Sequence, residues 1–501
     1  MTVDDKTPIL VGSGQYVERE ATLNPPMHLA AQASAAAIAD TGGIDVAAAI
    51  DTIAVVKIFS DSARMWACPF GGSDNPPQSV AAAIGANPRH RVYSVTGGNQ
   101  PQSLVIEMAS AIARGEKSMV LLTGAEAIRN QRTAQRNNHE PDWNEHFDEP
   151  LEDRGFGEMV ATLQEIKNGG IAPIFYYSLM EQARRARLGL SVEDYLRDTA
   201  GLLESFSQVA ANNPYSQFTG VLSAQAILSA GPLTHLYTRR MIAQDGVNQA
   251  ASLLLCSVGK ARELDIPEDK WVYLHGMAEG AELDMTNRPD ISVSPMAAQV
   301  VDKALGMAEK SIGDIDLIDI YSCFPCAVTA ISDHLGLPAD GSTALTLTGG
   351  LPYFGGAGNN YSMHALAEVI QQVRLQVGAF ALVTTNGGML SKHASGVFSR
   401  QPSTIDWAIA DTTVSNESLP RKAICEDPGA GNIVTYSVNY MGDQPVQAMV
   451  LAETDVGERF VCCTASDDQA TVQAMLDTEP TGRRINVTPP EDQTLHFQLT
   501  D

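Results

Sequence analysis

The chain repeats itself, and that repeat limits what it can fold into. Thr7-Pro-Ile-Leu-Val-Gly12 opens a short apolar strand, and Trp271-Val-Tyr-Leu-His-Gly276 opens a matching one about 264 residues later. Pro26-Met27-His-Leu-Ala30-Ala31-Gln32 then leads an alanine-rich helix, and Pro295-Met296-Ala297-Ala298-Gln299 leads its counterpart. Both helices carry apolar residues at helical spacing and stop near glycines, Gly42-Gly43 and Gly313. Ile50-Asp51-Thr52-Ile53 and Ile315-Asp316-Leu317-Ile318 start the next strands. Gly97-Gly98-Asn99 and Gly358-Asn359-Asn360 each precede a second helix, which runs through Gly115 or Gly378 into an apolar strand, Met119–Thr123 or Phe380–Thr385. Each half therefore reads strand–helix–strand–helix–strand. This predicts an α/β protein of two βαβαβ units, each with a mostly parallel sheet, related by pseudo-twofold symmetry. A ligand belongs where strand carboxyl ends and helix amino ends converge.

Two regions lie outside the repeat. Residues 125–244 are an insertion, polar at first and then helical over Tyr176–Arg187 and Ser191–Asn212. Residues 401–501 alternate apolar and polar over Ile433–Tyr440, Val446–Leu451 and Phe460–Thr464, with glycine turns between, which predicts a small β domain shaped as an open barrel. The expected domains are 1–124 with 245–265 as the first half, 125–244 as the inserted loop domain, 266–400 as the second half and 401–501 as the added domain.

With a net charge of −26, the 501-residue chain offers no basic face for nucleic acid or an anionic membrane. Its apolar runs, such as Ala250–Val258, are too short to span a bilayer, and its polar, acidic start is unlike a secretory leader. The odd count of 7 cysteines reads as thiols in a reducing cytoplasm. Cys323-Phe-Pro-Cys326 has redox spacing but neither a second pair for zinc nor a thioredoxin-like setting. His139 and His146 have no partner spacing that calls for a metal.

Three segments then point to a known family. Asp245-Gly246-Val-Asn-Gln-Ala250-Ala251 is similar to the thiolase Asp-Gly-Ala-Ala segment, Asp314–Phe324 to the strand with the Asn-Glu-Ala-Phe motif, and Thr348-Gly349-Gly350 to Gly355-Gly356 to the Gly-Gly…Gly-His-Pro motif. Tyr321-Ser-Cys-Phe324, Asn359-Asn360-Tyr361 and Asn386-Gly387-Gly388…Lys392-His393, together with the tail, resemble the type 1 thiolase-like proteins related to sterol-carrier-type thiolases. The resemblance covers about residues 7–400. It implies a thiolase fold, an inserted domain that cradles CoA, an OB-like added domain and acyl-CoA as ligand or substrate, with no permanently bound cofactor.

A thiolase needs a cysteine nucleophile, an oxyanion site and a second group that moves the α-proton. The resemblance puts Thr96 at the nucleophile position, Gly356 in place of the Gly-His-Pro histidine, Tyr321 in place of the Asn-Glu-Ala-Phe asparagine and Asn386 in place of the Cys-x-Gly cysteine. Thr96 then reads as a packing or ligand-contact residue, with the Gly97-Gly98 amides free to hold a carbonyl oxygen. Cys323 matches the acid/base cysteine of sterol-carrier-type thiolases; its bland reading is a buried core thiol. His364 and His393 are candidate bases and Asn360 and Asn386 candidate oxyanion donors, set against capping and packing roles. Arg184 and Arg187 suit CoA phosphates, or simply a solvated helix face. The expected function is acyl transfer or retro-Claisen cleavage on a 3-ketoacyl-CoA-type thioester. The alternative is an inactive acyl-CoA-binding or protein-interaction module. The assembly expected is a homodimer, or a monomer if the tail covers the dimer face.

Overall fold

The computed structural model describes residues 3–159, 161–169, 172–488 and 494–500. In the first half β1 (Pro8–Val17) is followed by β2 (Thr52–Val55), β3 (His90–Tyr93), β4 (Met119–Ala127), the two-residue β5 (Glu152–Asp153) and β6 (Asn248–Ser257). The second half contributes β7 (Val272–Ala281), β8 (Leu317–Ile320), β9 (Phe380–Gly387), β10 (Lys392–Ser399) and the short β11 (Thr413–Val414). These form a single 11-stranded sheet in the order β5-β3-β2-β4-β6-β1-β7-β10-β9-β8, with β11 on β7.

The repeat is visible in how each half packs its first strand. The Pro26–Thr41 helix starts on a proline and ends at Gly42, whose left-handed φ of 65° closes the last turn. It lies so close to β1 that a Cβ on Gly14 would sit 2.1 Å from the Ala33 carbonyl oxygen. In the second half the Pro295–Met307 helix, capped by Ser294, crosses β7 equally closely, with 2.0 Å between a Cβ on Gly276 and the Ala304 oxygen. Glycine on the strand and alanine on the helix let the two backbones approach.

The sheet is mixed where the sequence predicts mostly parallel pairing. β2, β3 and β4 run parallel, as do β8 and β9, but β1–β6, β4–β6, β1–β7, β7–β10 and β9–β10 are antiparallel. The reason is the hairpin. β10 follows β9 after a turn of four residues, which permits only antiparallel pairing. β6 holds the equivalent place beside β4, and the insertion occupies the hairpin turn between them.

The insertion carries the Pro173–Leu188 and Val192–Asn212 helices and packs into the same apolar cluster as the second half. Its β5 lies along the outer edge of β3. Residues 401–423, which the sequence places in the tail, run back over the second half: Trp407 is buried against Leu274 and Phe398, and β11 pairs with β7. The tail proper is β12 (Ala430–Met441), β13 (Gln444–Glu453), β14 (Arg459–Cys463), β15 (Arg484–Thr488) and β16 (His496–Leu499). They form a closed barrel, not an open one, because β12 pairs with both β13 and β15. The barrel sits on the insertion, with Thr435 Oγ1 donating to the Leu179 carbonyl (2.8 Å) and Ser178 bonded to Ser437 (2.7 Å). No helix among the described residues is long and apolar enough to cross a membrane.

Gly14→Ala should overpack the helix–strand contact and cost about 1–3 kcal/mol, read as a lower urea midpoint. Gly306→Ala, with nothing within 4 Å of the new methyl, should leave the midpoint unchanged or raise it by up to about 1 kcal/mol.

Candidate active site

The two halves meet at two glycine loops. Ser94–Asn99 leaves β3 and enters the Gln100–Ala113 helix, while Asn386-Gly387-Gly388 ends β9. A Cβ on Gly98 would stand 2.4 Å from the Tyr321 hydroxyl oxygen and 2.5 Å from the Asn386 carbonyl oxygen. One on Gly387 would stand 2.6 Å from Asn99 Oδ1 and 3.0 Å from the Gly98 nitrogen. The Ser362 hydroxyl donates to the Gly98 carbonyl (2.5 Å), and Lys392 Nζ donates to the Thr96 carbonyl (3.4 Å). Thr96, Gly98, Tyr321 and Asn386 are thus drawn from distant parts of the chain into one contact.

Cys323 joins them from the end of β8. Its Sγ accepts from Asn386 Nδ2 (3.6 Å), which also donates to the Tyr177 hydroxyl (2.7 Å). Burial pushes the thiol up to about 12, against smaller downward effects from Tyr177 and Asn386, so at neutral pH it holds its proton. Cys323 nevertheless keeps partial exposure, as Thr96 does. The inserted helix supplies Tyr177, stacked on Phe324 at 4.2 Å, and its hydroxyl accepts from the Leu390 amide (3.0 Å). One turn further on, Glu181 accepts from the Cys326 amide (2.8 Å) at the start of the Pro325–Leu335 helix and from the Tyr237 hydroxyl (2.6 Å), and also bonds Tyr195. Burial raises the Glu181 carboxyl pKa. The sequence reading missed both Tyr177 and Glu181; their only signal is the four-residue spacing that puts them on one helix face.

Behind Cys323, buried Asp319 organises the glycine-rich loop. Its Oδ2 accepts from the Leu347 amide (2.8 Å), the Thr348 amide (3.1 Å) and the Thr346 and Thr348 hydroxyls. Burial raises this carboxyl to about 6.

Several polar atoms at the loop junction are buried without a hydrogen-bond partner: Thr96 Oγ1, Asn99 Oδ1 and Asn386 Oδ1. Buried polar groups are nearly always satisfied, and such orphans mark places where water or a ligand belongs. Three acceptor-capable atoms lie by the Gly97-Gly98 loop, and Cys323 is reached through Asn386; together they form a polar cradle.

The remaining candidates lie further off. Gly356 touches the site indirectly: its amide donates to the Gln244 carbonyl (2.8 Å), and the neighbouring Ala243 amide donates to the Cys323 carbonyl (2.9 Å). Asn360 ties the helix start to β4, Nδ2 donating to the Gly124 carbonyl (2.7 Å). His364 is fully buried between Phe354 and β1, Nδ1 lying 2.7 Å from Gln15 Oε1, and desolvation lowers its pKa to about 3. His393 is opposite Asn386 in the β9–β10 ladder, but its ring meets Ser294 (3.3 Å), and desolvation, partly offset by Glu282, lowers its pKa to about 4. Both imidazoles are neutral at pH 7. Arg184 makes a two-pronged bond to Asp333 (2.8 Å each) and Arg187 joins the same carboxylate (2.7 Å). The structure brings together Thr96, Cys323 and Asn386, with Tyr177 and Tyr321; it does not bring the histidines or arginines into contact with them.

This is the fold of a thiolase-like protein. A solved monomeric SCP2-thiolase-like protein type 1 from Mycobacterium smegmatis is 38% identical, covers 100% of both chains and superposes with a TM-score of 0.82. The dimeric peroxisomal thiolase of Saccharomyces cerevisiae shares the fold at 14% identity, with a TM-score of 0.57 over 80% of this chain and 99% of that one. The acetyl-CoA acetyltransferase of Methanothermobacter thermautotrophicus is 27% identical over 189 residues, 34% of this chain and 47% of that one, so the match spans about half the length of that relative. No family model matches the chain. The chain belongs to the SCP2-thiolase-like proteins of type 1.

The low histidine pKa values have a pH consequence. Between about 4 and the unfolded value near 6.5, the unfolded chain binds protons at His393 that the folded protein refuses. Its stabilising effect is therefore complete above about 6.5 and is lost as pH falls toward 4. A melting series from pH 7 to 4 should fall more steeply for the natural protein than for His393→Gln; equal slopes would contradict the assignment.

Proposed function

We propose that the protein cleaves the carbon–carbon bond beside a CoA thioester, a retro-Claisen reaction on a 3-ketoacyl-CoA, with water or free CoA attacking in place of an enzyme nucleophile. The observation that carries this reading is the protonated Cys323 thiol, held by Asn386, whose Oδ1 is unpartnered, as is Thr96 Oγ1 in the loop that meets Asn386. The attacking oxygen or sulfur adds to the keto carbon. The Gly97-Gly98 amides stabilise the resulting oxyanion, joined by Asn386 Nδ2 as its proton leaves Cys323 Sγ for it. As the tetrahedral centre collapses, the bond between C2 and C3 breaks and its electron pair moves onto C2 as the thioester enolate. Cys323 gives its proton to C2 and regains one from the attacking group, so protons balance over the cycle. With CoA as attacker the reaction is an acyl transfer; with water it yields a free acid. Thr96 orients the attacking group, and Tyr321 walls the cradle.

CoA phosphates are assigned to Arg184 and Arg187, where the insertion helix meets the Pro325–Leu335 helix through Asp333, Arg187 being the more exposed of the two. The barrel, with a helix at Gln469–Asp477 between its third and fourth strands, supports an OB-like added domain. A monomer is favoured by the cover that β5 gives the outer edge of β3.

A second reading, acyl-CoA or partner binding without turnover, is favoured by one observation: Asp333 already engages both arginines, and neither histidine can reach the cradle as a base. Turnover separates the two. Incubated with acetoacetyl-CoA and longer 3-ketoacyl-CoA esters, with and without free CoA, the protein should consume the thioester. Cys323→Ala should lower kcat more than tenfold, about 1.4 kcal/mol of barrier, with KM little changed. CoA binding without turnover at any chain length would leave the second reading standing.

A further inference from the structure

A cavity of about 410 Å³ opens away from the glycine loops, and Thr96, Cys323 and Asn386 are absent from its lining. Its walls are the segment after β2 and the first turns of the insertion. Its floor is Glu126, near the end of β4. Glu126 is only 3% exposed. The Phe59 amide donates to Oε1 (2.7 Å), and Gly358 is pressed so close that a Cβ there would lie 2.2 Å from that same oxygen. Oε2 has no hydrogen-bond partner among the described residues, and Glu126 lines the cavity. A carboxyl oxygen that the chain leaves to a cavity is open to water or to a ligand.

The walls say which partner. Phe59 and Trp66 are stacked with centroids 4.6 Å apart, and Trp143 and Met27 add further apolar surface. Four charged side chains line the space: Glu126, Glu145, Asp245 and Arg132. Arg132 is already committed to Asp245 through two bonds of 2.7 and 2.6 Å. The free charge is therefore that of Glu145, joined by Glu126 once it ionises; it is negative, which repels nucleotide phosphates and carboxylic acids and attracts cations. Aromatic faces beside an acidic floor suit an organic cation that can lie against a π-surface.

We propose that this cavity is a binding site for an organic ammonium compound, its cationic head against Glu126 and its apolar part against Trp66 and Phe59. The site is independent of the chemistry at Cys323. The titratable groups facing Glu126 are Asp61 and Tyr93, bonded to each other at 2.7 Å, the Asp245–Arg132 pair, Cys68 and Glu145. Lys57 is held by Asp153 (2.8 Å). Burial, reinforced by Asp61 and Asp245, raises the Glu126 carboxyl to about 8. Protonated, it has no charge for the cation; ionised, it has. Binding an ammonium group therefore releases a proton, and affinity rises with pH.

Calorimetry and tryptophan quenching on the full chain test this, with phenyltrimethylammonium and choline as probes and 3,3-dimethylbutan-1-ol as the neutral match for choline. The cations should bind, severalfold to tenfold more tightly at pH 9 than at pH 7, and the neutral alcohol should bind at least tenfold more weakly. Glu126→Gln should remove the pH dependence and weaken binding about tenfold, while Trp66→Ala, at the rim, should weaken it with the pH dependence intact. Equal binding of the neutral alcohol, pH-independent binding to the natural protein, or no cation binding up to 10 mM would each overturn the proposal.

Discussion

The interleaving of two glycine loops from opposite halves of the chain is the contact on which the site depends. Gly98 and Gly387 stand where any side chain would collide with Tyr321, Asn99 or backbone. With those side chains missing, the ends of β3 and β9 close to backbone contact. The same approach brings Asn386 to Cys323 and leaves Thr96 Oγ1 and Asn386 Oδ1 facing inward without partners.

The insertion completes what the two halves begin. It occupies the place of a hairpin turn, so its Pro173–Leu188 helix is carried directly over the site. Tyr177 holds Asn386 and the turn at Leu390, and Glu181 fastens the helix to the start of Pro325–Leu335. The same helix also carries the barrel, through Ser178, Leu179 and Arg185. Site, insertion and barrel are thereby linked through one helix.

Much of this was legible in the sequence. Proline-led alanine helices, glycines on the first strands and matched strand starts expose the duplication because close helix–strand packing forces those residue types in both copies. Thr96, Cys323 and Asn386 were singled out by motif resemblance and not by packing, and the structure places Asn386 against Cys323 and against the glycine loop that follows Thr96. Strand direction was not: apolar runs do not say whether a final strand returns antiparallel. His364 misled because it lies one turn into a helix whose buried face meets Gln15, a residue 349 positions away. Tyr177 and Glu181 gave no sign because their roles come from tertiary packing. Glu126 was hidden near the end of β4, in a fully buried run whose other polar side chain is Thr123.

The central claim is that the cradle formed by Thr96, Cys323 and Asn386 receives the reacting end of an acyl thioester. A crystal structure with a non-cleavable thioether analogue of acetoacetyl-CoA examines it directly. The account predicts the keto oxygen within hydrogen-bond distance of Asn386 Nδ2 or the Gly97-Gly98 amides, with C2 facing Cys323 Sγ. Clear density for the analogue at any other place, with the glycine-loop cradle filled only by water, would contradict it.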